Sequence, residues 1–348
     1  MINNELQSIL DNIKKIHLNN KEISEKILKM KDEIELKFGE IIENKLTYKI
    51  DYETIPELNV LAVDGGSYRK IFNGIDAFII KTSGVFCKYV NGKLVNTDYL
   101  ETGRPKIFFS LFEANEGNVY VGLKRNIEEI KTAIEGFKKF NPDIILLDGS
   151  VIPHNSERPQ RDSQFWNEYE TLIEYLKNLY EIAGNKVVGC IKDSRGKRFL
   201  DIISQNIINL NEAKFTNDTI FLNYILKYSE RTPVFRFSKG EHYILNDLNA
   251  KNNIFCFYFS AAENDFPMRI EFWCENDNKK IIENANKISK IMLMLCKHSR
   301  YSVPAPLIEA DLRARVNEYD SERLINHIFN SSGILFSFMK RRRDNRPF

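Results

Sequence analysis

Apolar positions recur at three- and four-residue steps across residues 1–46: Leu6, Ile9, Leu10, Ile13 and Ile16, then Ile23, Ile27, Leu28, Ile34 and Leu36. That period predicts a long amphipathic helix or a helical pair, an N-terminal extension whose apolar stripe packs on the main domain or serves a partner. At residues 58–64 the pattern becomes a continuous run, LNVLAVD, followed by Gly65-Gly66-Ser67. Such a run predicts a buried strand that ends in an acid, with the chain turning sharply at the glycines. Residues 77–81 and 84–90 read as a second strand region, closed by the hairpin signal Asn91-Gly92, and residues 106–112 as a third strand. Ile127, Ile130, Ile134 and Phe137 share one face of a helix that Asn141-Pro142 stops. Residues 143–150, DIILLDGS, then repeat the ending of the first strand.

Further on, residues 154–162 form a polar loop, 165–182 a helix with a broad apolar side, and 186–191 a fifth strand followed by Lys192-Asp193-Ser194-Arg195-Gly196. Helix is expected over 198–228, strands over 234–237, 254–259 and 268–273, and helices over 279–296 and 307–315 after Pro304-Ala305-Pro306. Alternation in the strand at 268–273 predicts apolar residues inward and polar residues outward. The order predicts an α/β fold with a mixed sheet, its first and fourth strands parallel neighbours. No composition shift marks a boundary. One domain over 47–340 is therefore expected, with the helical extension 1–46 and a basic tail, 341–348.

Composition narrows the class only slightly. At 43% hydrophobic and 28% charged, the chain has ample material for a core. A net charge of +2 is too small to signal nucleic acid, so any such surface must be a local cluster. The five cysteines are scattered and lack CxxC spacing, which points to free thiols in a reducing compartment and away from a zinc or disulfide framework. With no apolar leader and no membrane-length run, a soluble cytoplasmic protein is expected. The histidines show no HxxxH or HExxH spacing, and neither a Walker A motif nor a GxSxG elbow is present.

The chemistry then rests on acids. Asp64 and Asp148 both follow an apolar strand and both precede glycine. On neighbouring strands their carboxylates converge, and like charges held close call for a divalent cation such as Mg²⁺ or Mn²⁺. The intervening helix offers Glu128, Glu129 and Glu135; Glu129 lies closest to the core face, with Glu128 in reserve. Lys192, leaving another buried strand, can offset phosphate charge. Arg69, Lys70, Arg195, Lys197 and Arg198 flank the strand ends, where phosphates can be met. The run 340–343 is a basic tail, a solvated or tethering segment more often than a site.

AVDGGS (62–67), the helix carrying Glu129, ILLDGS (145–150), IKDSRG (191–196) and PAPLIEADLRAR (304–315), in that order, resemble the NurA nucleases. The resemblance implies a ribonuclease-H-like core flanked by helices, with Asp64, Glu129 and Asp148 as acidic metal ligands and Lys192 beside them. Where that family commonly carries a late histidine this chain has Asp311, which can ligate Mn²⁺ or Mg²⁺ but cannot act as an imidazole. Tyr301 matches a family tyrosine and joins Ser67, Arg69 and Arg195 as a candidate DNA contact. Also implied are a homodimer that needs Mn²⁺ (or Mg²⁺), cleaves single-stranded DNA, resects duplex ends 5′ to 3′ and partners a HerA-type hexameric ATPase.

Two rival readings stand beside this one. AVDGGS also resembles the phosphate loop of ATP-dependent sugar or acetate-type phosphotransferases, although a second phosphate loop and an adenosine motif are not evident. A DNA-end clamp or translocase adaptor, its catalysis weakened by Asp311, is the non-enzymatic alternative.

Overall fold

The computed structural model describes residues 2–29, 35–36, 39–100, 105–110, 112, 116–204, 216–297, 300–331 and 341. In chain order these form α1 (Ile2–Lys29), β1 (Tyr48–Lys49), β2 (Glu57–Ile71), β3 (Asp76–Val90), β4 (Lys93–Leu100), β5 (Lys106–Ser110), α2 (Glu116–Phe140), β6 (Ile144–Asp148), α3 (Trp166–Ala183) and β7 (Val187–Ile191). Then follow α4 (Arg198–Ile203), α5 (Asp218–Asn223), β8 (Glu230–Arg231), β9 (Phe235–Arg236), α6 (Tyr243–Asp247), β10 (Ile254–Phe259), β11 (Met268–Trp273), α7 (Asn278–Cys296), α8 (Ala305–Ala314) and α9 (Glu318–Ser331). Two compact units interleave along the chain, one made of Glu57–Asp148, Ile152–Val187 and Pro306–Phe348, the other of Met1–Pro56, Gly149–Val151 and Val188–Ala305.

In the first unit β2 is the axis. It pairs parallel with β6, Val60↔Ile144 through Val63↔Leu147, as the twin acid-ended runs predict. The start of that pairing is pinned by the Asn59 amide donating to the Asp143 carboxylate (2.8 Å). On its other edge β2 pairs antiparallel with β3, and β3 takes β4 and β5. The Asn91-Gly92 hairpin forms as read, both residues at positive φ (49° and 73°). The expected turn at Gly65-Gly66 does not form. β2 runs through both glycines with β3 opposite, Gly65↔Thr82 and Gly66↔Lys81, and bends back only beyond Ile71, near Gly74 (φ 140°). The antiparallel partner keeps both residues in extended backbone, so the glycines have no need of an unusual conformation.

The glycines serve close packing instead. A Cβ on Gly65 would meet the Glu129 side chain of α2, and a Cβ on Gly66 would meet the Ala314 carbonyl at the end of α8. Side chains alternate along a strand, so Gly65 faces α2 while Asp64 and Gly66 share the face toward α8. Leu61, also on the α2 face, fills the notch left by Gly136. Beyond the acid, Tyr68 and Lys70 both reach Glu322 of α9 (3.2 and 2.5 Å). Phe72, Ala77, Ile79, Ile325 and Phe329 form the core between β2, β3 and α9. Helix α9 was not anticipated, because Ser321, Ile325 and Phe329 are its only buried positions among the described residues.

The second unit is an antiparallel sheet in the order β1-β8-β10-β11-β7, with β9 also on β10. Ile23 and Ile27 of α1 pack with α4, α5, Phe235, Cys256 and Tyr258. The first half of α1 does not join that core: Leu6, Ile9, Leu10 and Ile13 are all exposed. The helix expected through residue 46 ends at Lys29, and Ile41 instead makes a bridge to Phe235. The helix expected over 198–228 is broken into α4 and α5, with 205–215 outside the described residues.

Strand β11 corrects a further expectation. Arg269 and Glu271, read as its solvent-facing alternates, are buried (7% and 2% exposed). They are paired to each other, Nε to Oε1 at 2.8 Å, and Ser150 donates to the second Glu271 oxygen (2.5 Å). A buried ion pair imitates an exposed face in sequence, since polarity alone does not distinguish the two. Of the basic tail only Arg341 is described, and no helix among the described residues is long and apolar enough to cross a membrane.

Candidate metal centre

Three carboxylates of the first unit converge. Asp64 from β2, Asp148 from the end of β6 and Asp311 from α8 each present an oxygen, all within 4.8 Å of one another. The first two are adjacent because β2 and β6 are in parallel register up to Val63↔Leu147. The third arrives because Gly66 lets the end of α8 lie against β2. Asp64 also accepts the Gly65 amide (2.7 Å), which fixes one of its oxygens. Asp64 and Asp148 are half-buried and Asp311 is exposed, so the trio is open on one side.

Glu129 stands beside the trio on α2, its side chain 17% exposed and its Oε1 3.3 Å from Arg125 Nε. Burial pushes its carboxyl up to about 8. Arg125 opposes the rise, while the negative charges of Asp64, Asp148 and Glu157 add to it. The neighbouring Glu128 is engaged elsewhere, ion-paired to Lys106 and to Lys131. Between the two glutamates named from sequence, it is Glu129 that shares a field with the aspartates.

A divalent cation suits this donor set. Three hard oxygen ligands and a fourth acid held against its charge, with one guanidinium close by, leave negative charge that a cation relieves. Two supporting residues had little signal in the sequence. Arg125 could be read only as one i,i+4 partner of Glu129. Glu157 lies in the loop after β6, where it accepts from Asn126 of α2 (2.9 Å).

The other candidates fall out as follows. Ser67 is exposed on β2. Arg69 is held by Asp76 (Nε to Oδ2, 2.9 Å) and by Asn118 (2.5 Å), over the notch at Gly117, so its donors brace β2 and β3 against α2. Lys192, Arg195 and Tyr301 belong to the second unit. There Lys192 is half-buried just after β7, Arg195 is exposed, and Tyr301 is 65% exposed. The loop from Lys192 to Lys197 is fastened from beneath: Thr219 donates to the Ser194 carbonyl (2.9 Å), the Asp218 amide to the Gly196 carbonyl (2.9 Å), and Ser194 meets the Tyr258 hydroxyl (3.3 Å).

The NurA domain model matches residues 58–316, the stretch that carries Asp64, Glu129, Asp148 and Asp311. The chain belongs to the NurA family. NurA is a nuclease family, so the protein is a phosphodiesterase that uses a divalent metal cofactor. Among solved structures, the NurA nuclease from Sulfolobus solfataricus aligns over 95% of this chain and 96% of its own, at 16% identity and a TM-score of 0.62. A crystal structure of NurA with manganese aligns over 93% of this chain and 98% of its own, at 12% identity and a TM-score of 0.55. These likenesses establish the NurA fold, α/β and ribonuclease-H-like, with a mixed sheet flanked by helices. No curated protein matches the chain by sequence.

Proposed function

We propose that this NurA-family protein is a manganese- or magnesium-dependent DNA nuclease that cuts single strands and resects duplex ends 5′ to 3′. The observation that carries the reading is the convergence of Asp64, Asp148 and Asp311 beside the charge-stressed Glu129. These four side chains would hold the cation, which when bound supplies activation of the hydrolytic water and neutralises charge on the phosphate. Asp64 and Asp148, fixed on paired strands, set the position of the site. Burial and the neighbouring acids hold the Glu129 carboxyl above the usual carboxylate range, a stress that a bound cation would relieve. Lys192 is assigned to offset phosphate charge, with Ser67, Arg195 and Tyr301 as DNA contacts.

The partner is a HerA-type hexameric ATPase, and the nuclease acts as a homodimer. The exposed stripe Leu6, Ile9, Leu10 and Ile13 on α1 supports a protein contact at the N-terminal extension. The five free cysteines, all buried, suit a reducing cytoplasm.

The test is cleavage of labelled single- and double-stranded DNA with Mn²⁺, Mg²⁺ or EDTA, parent beside Asp148→Ala. Metal-dependent release of nucleotides that the substitution abolishes is expected, without ATP consumption by the isolated protein. Cleavage unchanged in Asp148→Ala would sink the assignment, and ATP-dependent transfer to a small acceptor would favour a phosphotransferase. For the partner, co-purification with the ATPase and faster duplex resection in its presence are expected.

A further inference from the structure

Cation–aromatic contacts gather in the loop that follows β6 in the first unit. Arg158 lies with its guanidinium carbon 5.2 Å from the Trp166 ring centroid and 5.8 Å from that of Tyr169, and Arg161 lies 5.8 Å from Trp166. Tyr169 is buried and fixed in the core, whereas Trp166 and Arg158 are half-exposed and Arg161 is exposed. The cluster therefore has an inner wall and an open outer side.

The loop is fastened next to the metal acids. Glu157 closes a capping box on the short turn 155–157, accepting the His154 amide (2.9 Å), and the same oxygen accepts from Asn126 (2.9 Å). Its other oxygen would lie 3.0 Å from a Cβ on Gly122. Positions 122, 126 and 129 share one face of α2, so the turn is held about one helical turn from Glu129, whose proton affinity its charge raises. Arg158 is the very next residue.

We propose that Arg158, Arg161 and Trp166 form a stacking seat for the unpaired DNA strand adjoining the scissile phosphate. Aromatic faces take any base, while guanidinium groups laid against them keep N–H edges available to phosphates, so the seat is sequence-tolerant. It requires an unpaired strand, because a base within a duplex is already stacked on both faces. The acidic neighbours are engaged or exposed: Glu157 accepts from His154 and Asn126 (2.9 Å each), Glu116 accepts from Gln164 (3.0 Å), Glu168 is paired with Lys124 (3.6 Å), and Asp162 is exposed on the loop. The seat deepens the nuclease reading and rests on it for the identity of the ligand.

The experiment uses the full chain with Trp273→Phe, which leaves Trp166 as the sole tryptophan of the two. Oligothymidylate is titrated in EDTA, so that binding is read without cleavage, with the anisotropy of a labelled oligonucleotide followed in parallel. Saturable quenching of Trp166 that tracks the anisotropy is expected. Arg161→Gln, an exposed substitution whose folding is checked by its thermal midpoint, should weaken binding about fivefold and reduce the salt slope by roughly 0.7. With metal present, Trp166→Ala should raise KM for single-stranded DNA about tenfold and leave kcat unchanged. Anisotropy showing bound DNA with no change in Trp166 emission would overturn the seat, as would an unaltered KM in Trp166→Ala. Intact quenching in a protein that cleaves nothing would count against the nuclease reading and leave the seat standing.

Discussion

Gly65 and Glu129 fit one another by the absence of a single carbon: a Cβ on Gly65 would lie 2.4 Å from Glu129 Oε1. The clashing atoms, Oε1, Cγ and Cδ, all belong to one side chain, so it is the Glu129 side chain and not the backbone that must move. Gly65→Ala is therefore predicted to leave the thermal midpoint nearly unchanged while lowering kcat about a hundredfold, because a displaced group near the reacting phosphate costs far more in rate than in stability. Steady-state cleavage and a melting curve on the same preparation check this. A fall in both together would refute it.

Gly66→Ala should behave in the opposite way. Its Cβ would lie 2.3 Å from the Ala314 carbonyl, and a backbone cannot step aside as a side chain does. A loss of about 1–3 kcal/mol is expected from overpacking, measured by urea denaturation. Metal affinity should fall with it, since α8 carries Asp311.

Metal should stabilise the folded protein by mass action. Mn²⁺ at about a hundred times its dissociation constant adds roughly 2.7 kcal/mol, and chelation removes it. The shift in thermal midpoint should vanish in Asp64→Asn and Asp148→Asn, and shrink in Asp311→Asn, whose residue is the exposed member of the trio. An undiminished shift in Asp148→Asn would show that the ion sits elsewhere.

Asp218, in the second unit, gives a pH signature of its own. It is fully buried, accepts the Phe199 and Leu200 amides (2.9 Å each), and takes the Tyr258 hydroxyl at 3.0 Å. Burial nonetheless pushes its carboxyl up to about 6, against those hydrogen bonds and the charge of Arg269. Unfolded, it titrates near 4. Between those values the folded chain holds a proton that the unfolded chain has released, so this group's contribution to stability falls as pH rises from about 4 to about 6 and is level above. The stability of Asp218→Asn minus that of the parent should thus climb across this window by something of order 3 kcal/mol, as read from denaturation curves at stepped pH. A flat difference would contradict the assignment.

Arg231 is wholly buried and clasped by both oxygens of Glu43 (2.6 and 2.7 Å) and by Asn286. Glu43→Ala strands that charge and should cost about 3–5 kcal/mol in chemical denaturation.

The sequence disclosed most of what depends on local pattern. Two apolar runs ending in Asp-Gly announced β2 and β6 and the adjacency of Asp64 with Asp148, because a buried strand must be apolar on both faces. The Asn91-Gly92 hairpin and the end of α2 near Asn141 were equally open to reading. Elsewhere the same residues had two possible uses. Gly65-Gly66 reads identically whether the chain turns there or two helices press against it, and only the partner strand decides. Arg269 and Glu271 look exposed until each is seen to neutralise the other. Asp311 was named by family likeness, since nothing in its own helix signals that α8 lies against β2; Glu157 and Asp218 gave no local sign at all.

Because the two small residues of β2 open toward opposite sides, the strand is a shared wall whose niches are spaced by the pleat. A substitution at either niche therefore disturbs one side only, Gly65→Ala the side of α2 and Gly66→Ala the side of α8. A residue inserted just before Asp64 would instead turn every later side chain to the wrong side, presenting the niche for α2 to α8 and the reverse. This strand must preserve its length as strictly as its two glycines.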